Sequence, residues 1–280
     1  MSALAVSAAG PAAATLHRLQ APPAWRCIEF TSDIHLCADK PRTAEAFFAY
    51  LDRTDADAVL LLGDVFEVWV GDDVIDLPGF EADCAARLQQ AAQRRTLGFM
   101  AGNRDFLVGQ RLLAHCGLRA LDDPTLIEAW GQRLLLTHGD AWCLSDEPYQ
   151  AFRAQVRSPA WQQAFLAQPL EERLRLARQM RDASEHRKAD QGLAAYPDID
   201  AAHALAWADA AQATTLVHGH THQPSSGPLG RDSSGRVVTR HVLADWEADL
   251  PPHRGDVLRW TADGGLQRRL IHSAPEQKPC

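Results

Sequence analysis

A chain of 280 residues, 46% apolar and 23% charged, is long enough for one large α/β domain or two small ones and has the composition of an ordinary soluble globular protein. Its 28 basic and 36 acidic residues leave a formal net charge of −8, which argues against a general nucleic-acid binder. No apolar run reaches the length of a membrane span, so membrane contact is expected to be peripheral, and the six scattered cysteines, with no Cys-x-x-Cys pair, read as reduced thiols of a cytosolic protein.

Residues 1–24 are rich in Ala and Pro and lack an early basic residue, so they read as a disordered leader rather than a signal peptide, with folded structure beginning near Trp25. Cys27 to Thr31 is the first expected strand and runs into Asp33-Ile34-His35. Two residues apart in extended chain, Asp33 and His35 can hold one ion together. Pro41 opens an amphipathic helix through Phe47, Phe48 and Leu51. The run Ala58 to Leu62 reads as a buried strand that ends in Gly63-Asp64, where a lone carboxylate flanked by apolar chain is costly unless it meets a cation. A helix is expected over Phe80 to Arg95, followed by a strand over Leu97 to Ala101 that delivers Gly102-Asn103-Arg104.

Thr125 to Trp130 and Arg133 to Thr137 read as a hairpin about a type II′ turn at Gly131-Gln132, with the second strand emptying into His138-Gly139-Asp140. From Pro148 to about His203 the pattern is helical. Trp161, Phe165, Leu166, Leu170, Leu174, Ala177 and Met180 form an apolar stripe, and seven basic residues face four acidic ones between Arg157 and Lys188. Such a segment is either a helical hairpin packed on the domain or a cap over a site. A helix over Ile199 to Ala213 leads to the strand Thr214 to Val217, which ends in His218-Gly219-His220. Strands over Val237 to Ala244 and Val257 to Trp260, with a turn at Asp263-Gly264, are expected to form a second, antiparallel set.

Five strand ends thus carry an oxygen or nitrogen donor on the following loop, four with Gly beside it. Mixed imidazole and carboxylate donors suit Mn, Fe, Co or Zn, and seven donors suit two ions bridged by Asp64 better than one.

The ordered set, from about Cys27 to Trp246, resembles the calcineurin-like metallophosphoesterase superfamily. The resemblance implies an α/β sandwich of two mixed sheets flanked by helices. In that arrangement Asp33, His35, Asp64 and His220 hold one metal, and Asp64, Asn103, His138 and His218 the other; His222 and His241 fall outside it. General phosphatases of the superfamily commonly have His where this chain has Arg104. An arginine is no practical general acid, but it binds phosphate bidentately, which favours a leaving group that needs no proton, such as the phosphate of a pyrophosphate.

Within the superfamily, Ser32-Asp-Ile-His-Leu-Cys37, Leu62-Gly-Asp-Val-Phe-Glu-Val-Trp-Val-Gly-Asp-Asp73, Gly102-Asn-Arg-Asp-Phe-Leu107, Tyr149-Gln-Ala-Phe-Arg153 and His218-Gly-His-Thr-His-Gln-Pro224 look like the UDP-2,3-diacylglucosamine diphosphatase family of lipid A biosynthesis. This resemblance implies hydrolysis of the substrate's pyrophosphate at the α-phosphorus to UMP and 2,3-diacylglucosamine 1-phosphate, usually with two Mn²⁺, by a peripheral protein at the cytoplasmic face of the inner membrane. It also implies a domain over 25–280 with a lipid-covering helical cap at about 148–198, a catalytic Arg104 and Asp64, and substrate contacts from Asn103, Arg104, Asp146, Tyr149, Ser184, Lys188 and His218. Gln191 stands where the family has a lysine, and no nucleic acid or obligate protein partner is implied. The alternatives are another dinuclear phosphodiesterase or nucleotide pyrophosphatase, which needs no acyl-binding cap, and a peripheral membrane scaffold with structural metals.

Overall fold

The computed structural model describes residues 16–191, 197–263 and 265–271, with the side chains of 181–191 excepted. Among them the elements run β1 (His17–Gln20), β2 (Cys27–Thr31), α1 (Pro41–Arg53), β3 (Ala58–Leu62), α2 (Phe80–Ala92), β4 (Thr96–Met100), α3 (Gln110–Cys116), β5 (Arg119–Leu121), β6 (Thr125–Ala129), β7 (Gln132–Leu136), α4 (Glu147–Val156), α5 (Pro159–Leu166), α6 (Leu170–Gln191), α7 (Ala201–Ala211), β8 (Thr215–His218), β9 (Ser225–Arg231), β10 (Val237–Val242), β11 (Asp256–Thr261) and β12 (Gly265–Leu270).

Two mixed sheets result, ordered β1-β6-β7-β8-β10-β9 and β12-β11-β2-β3-β4-β5, as expected of the fold class. Period-two alternation decides which layer each side chain joins. In β3, Ala58, Leu60 and Leu62 pack between the sheets with Ile28, Phe30, Leu134, Leu136 and Trp260. Val59 and Leu61 face the opposite way, onto Phe47, Leu51 and Leu88 of the helical layer. The outer face of the other sheet, with Leu126, Leu135 and Leu216, is covered by Ala204, Ala208 and Ala211 of α7. Strands β2, β3 and β4 are mutually parallel, as are β7 and β8, so each sheet gathers its ligand-bearing ends on one side.

Three expectations change. First, β1 pairs in parallel with β6 and buries Leu19 completely, so ordered structure starts well before Trp25. Second, the β6–β7 turn is Trp130-Gly131, both at positive φ (50° and 76°), which is type I′; the Trp130 ring compensates by packing edge-on against Trp260 while its Nε1 donates to Trp25 O. Third, the late strands are divided between the sheets: β10 runs parallel to β8 in one, while β11 and β12 extend the other through antiparallel pairing of β11 with β2.

Helices α4, α5 and α6 fill the segment read as a cap. Asp146 and Ser158 accept from the third residue of α4 and α5, and a proline stands in the first turn of each. Phe165 is buried against the helical layer, with Trp161, Leu170, Leu174, Ala177 and Met180 packed beside it, whereas Leu166 is 41% exposed. The basic residues are not all turned to solvent: Arg157 donates to Gly102 O, and Arg173 is buried, forking onto Asp73 with a further bond to Val70 O.

That fork gives part of the Gly71-Asp72-Asp73 motif a physical purpose. A methyl group at Gly71 would overlap the Arg173 guanidinium, and Asp72 accepts from Trp69 Nε1 and from the Gly109 and Leu112 amides at the start of α3. Replacing Arg173 by alanine strips buried carbonyls of a charged donor and is expected to cost about 3 kcal/mol in urea unfolding, with Arg173→Lys recovering only part because an ammonium cannot fork. Unchanged stability in Arg173→Ala would show the contact to be dispensable.

Candidate metal centre

The strand-end loops converge where the two sheets meet. Asp33 and His35 follow β2, Asp64 follows β3, Asn103 follows β4, His138 follows β7, and His220 and His222 follow β8. Two compact groups result: Asp33, His35 and His222, and Asp33, Asp64 and His138, each able to offer donor atoms within 4.8 Å of one another.

Backbone strain marks the same place. Asp33, His35, Asp64, His220 and His222 all sit at φ between 53° and 65°, a region most side chains avoid at about 1 kcal/mol or more apiece. Glycines admit the side chains: a methyl group at Gly63 would strike the His138 ring, at Gly102 the Asp64 carboxylate, and at Gly219 the Asp33 carboxylate and Ser32 hydroxyl.

The donors are presented with their lone pairs converging. His138 Nδ1 lies 2.9 Å from Leu62 O, an acceptor, so Nδ1 carries the proton and Nε2 faces Asn103 Oδ1 at 3.0 Å and Asp64 Oδ1 at 3.6 Å. His35 and His222 meet Nε2 to Nε2 at 3.4 Å, and His222 Nε2 is 3.3 Å from Asp33 Oδ1, a buried oxygen with no hydrogen-bond partner. Two imidazole nitrogens and a buried carboxylate oxygen converging on one point, with few protons to share among them, form a donor set that fits divalent metal ions. Burial pulls the His138 imidazole down, but Asp64, Asp33 and Asp140 outweigh it and raise the group to about 9, so the carboxylates favour positive charge at Nε2, whether a proton or a metal ion that displaces it.

Supporting groups fix the loops. Asp105 accepts from the amides of Gly102, Val65 and Phe66, tying the β3 and β4 loops together, and burial next to Asp64 raises its carboxyl to about 6. The Arg104 amide donates to Asp64 Oδ1 at 2.8 Å. Asp140, fully buried, accepts from Tyr149 and Arg153 of α4, joining the His138 loop to the cap segment.

The structure distributes the histidines differently from the expected set. His222, left out of the sequence pattern, occupies the place beside Asp33 and His35 that was assigned to His220. His220 instead packs edge-on against His138, ring centroids 5.2 Å apart, the place assigned to His218. His218 is still within β8 and shares the face of Leu216, toward α7, opposite to Val217. Its Nδ1 contacts Gly219 O at 2.9 Å, and burial, with Arg240 nearby, lowers its imidazole to about 4. His218 thus belongs to neither of the two compact donor groups.

Of the other expected substrate residues, Asn103, Arg104 and Tyr149 line a cavity of about 250 Å³ whose remaining wall is largely apolar, including Val68, Trp69, Phe106, Trp161, Phe165 and Met180. Tyr149 stacks on His220 at 6.1 Å. Asp146 uses one carboxylate oxygen to cap α4. Ser184, Lys188 and Gln191 fall on the part of α6 whose side chains lie outside the described residues. Among the described residues no helix is long and apolar enough to cross a membrane.

Two packed mixed sheets with carboxylate and imidazole donors gathered at their joined strand ends have the form of a metal-dependent phosphoesterase. The family model for calcineurin-like phosphoesterase matches residues 28–224, and the chain belongs to that family, whose members use divalent metals. Its relatives are more specific. A Chromobacterium violaceum protein named UDP-2,3-diacylglucosamine hydrolase is 45% identical over 242 residues, which cover 86% of this chain and 97% of that one. Proteins of the same name from Xanthomonas axonopodis pv. citri and Bordetella parapertussis are each 42% identical, matching 98% and 93% of their own lengths and 86% of this chain.

Proposed function

We propose that this protein hydrolyses the pyrophosphate bond of UDP-2,3-diacylglucosamine, with water attacking the α-phosphorus to give UMP and 2,3-diacylglucosamine 1-phosphate. The observation that carries the proposal is a shared wall: Asn103 and Arg104 belong both to the metal-centre loops and to the apolar cavity, which a substrate with a diphosphate and fatty acyl chains would span. Asp33, His35, Asp64 and His222 would hold one divalent ion, and Asp64, Asn103, His138 and His220 the second, with Mn²⁺ the expected metal. Bound there, the ions supply an acidified water and neutralise phosphoryl charge.

The protein's own groups do the rest. Arg104 would clamp the phosphoryl oxygens as charge moves toward the leaving phosphate, which needs no proton to depart. Trp161, Phe165 and Met180 would shelter acyl chain from water, making α4 to α6 the cap. The protein would work as a peripheral component at the cytoplasmic face of the inner membrane, where such a substrate lies.

Incubating the protein and Mn²⁺ with UDP-2,3-diacylglucosamine should release UMP, far faster than a short soluble phosphodiester is cleaved. Equal rates on both would favour a general phosphodiesterase. Arg104→Ala is expected to lower kcat roughly 10²-fold with metal content unchanged, as for loss of one donor to a developing oxyanion. If Arg104→His matched the parent on the lipid substrate, the leaving-group argument would fail.

A further inference from the structure

The Phe66-Glu67-Val68-Trp69 stretch lies between the metal-centre loops and the cavity, and Glu67 supplies none of the donors assigned above. Its backbone is fixed from both sides. Glu67 N donates to Leu36 O, next to His35, and Trp69 N donates to Arg104 O. Phe66, packed on Trp69 with ring centroids 4.5 Å apart, anchors the turn in the core.

The carboxylate, 12% exposed, divides between two functional side chains. Oε2 lies 2.9 Å from His35 Nδ1, and Oε1 lies 3.6 Å from Arg104 Nη1. The first is a close charge contact, off the ideal N–H direction, and it still has a chemical consequence. A carboxylate at that distance from an imidazole nitrogen is repelled by a lone pair and attracted by a proton, so His35 holds its proton on Nδ1. Its Nε2 lone pair then faces His222 and Asp33. The second contact draws Arg104 to the same carboxylate, so the guanidinium and the imidazole share one positioning group.

We propose that Glu67 is a positioning residue that couples the metal centre to the phosphate clamp, fixing the His35 tautomer with one oxygen and the approach of Arg104 with the other. Outer carboxylates on metal-bound histidines typically contribute 10- to 100-fold in metal affinity. The inference rests on the two-metal reading of the site, but its first test needs no lipid.

Titrating metal-stripped Glu67→Gln with Mn²⁺ by calorimetry should show the weaker-bound ion at least ~10-fold weaker than in the parent, with the metal-free melting temperature unchanged. A double-mutant cycle with Arg104→Ala, read as kcat/KM on UDP-2,3-diacylglucosamine at saturating Mn²⁺, should be non-additive, Glu67→Gln costing at least ~5-fold less when Arg104 is absent. Parental Mn²⁺ affinity, an additive cycle, or a loss of affinity matched by a fall in the metal-free melting temperature would each overturn the proposal. If the lipid proves not to be a substrate while Mn²⁺ affinity falls as expected, the function assigned above fails and the His35 contact stands.

Discussion

Replacing Asp64 by alanine is expected to lower turnover by at least ~10³-fold, equivalent to about 4 kcal/mol of lost transition-state stabilisation, and to deplete both metal positions rather than one. The residue shares a donor group with Asp33 and His138, and Asp33 belongs also to the group of His35 and His222; Asp64 is 2% exposed, its Oδ1 lies 3.6 Å from His138 Nε2, and the Arg104 amide holds that same oxygen. Its φ of 53° and the glycine before it show that the chain is bent to bring this carboxylate inward. Asp64→Asn separates charge from shape, because the amide oxygen can still accept from Arg104 N. It should bind metal as poorly as Asp64→Ala does. Without metal, Asp64 stands beside buried Asp33 and Asp105, so the metal-stripped Asn variant is expected to melt no lower than the metal-stripped parent. Elemental analysis finding two tightly held ions in Asp64→Ala would refute the bridging assignment.

Much of this was legible in the sequence because the site is built on strand ends. An all-apolar run such as Ala58 to Leu62 has few stable placements other than a strand covered on both faces, and Gly63-Asp64 after it brings a charge to the edge of the core. Repeated across five strands, that juxtaposition located the site without knowledge of sheet order. Sheet order itself was not readable. Nothing local distinguishes a β10 that pairs with β8 from a β11 that crosses to β2, since both alternate in the same way and differ only in long-range partner.

The misses have local causes. β1 is four residues, His-Arg-Leu-Gln, with only Leu19 buried, too short and too polar for periodicity to reveal at the end of an alanine-rich stretch. The arginines of the cap segment carried no sign of their individual partners, because Arg173 is drawn inward by Asp73, a hundred residues earlier in the chain. The histidine error is the instructive one. Both His218-x-His220 and His220-x-His222 copy the Asp33-x-His35 spacing, and spacing alone cannot choose between them. The end of the strand decides: His218 is the last residue of β8, and His220 and His222 lie on the loop beyond it.

That correction carries the sharpest contrast among single substitutions. His222→Ala is expected to weaken one Mn²⁺ by more than the ~10- to 100-fold typical of an outer partner, because a direct donor is lost, and turnover should fall with it. His218→Ala should leave Mn²⁺ affinity within about twofold while reducing folding stability by about 1–3 kcal/mol, since a fully buried ring is removed from beside the α7 layer. The geometry behind the difference is one residue of strand. Val217 faces the inter-sheet core, so His218 must face away from it, and only after Gly219 does the chain leave β8 and swing His220 and His222 toward Asp33 and His138. Calorimetric titration of both variants with Mn²⁺, alongside urea unfolding of the metal-free proteins, separates the two outcomes. Loss of an ion in His218→Ala with no loss of stability, together with parental metal binding in His222→Ala, would restore the assignment that spacing first suggested.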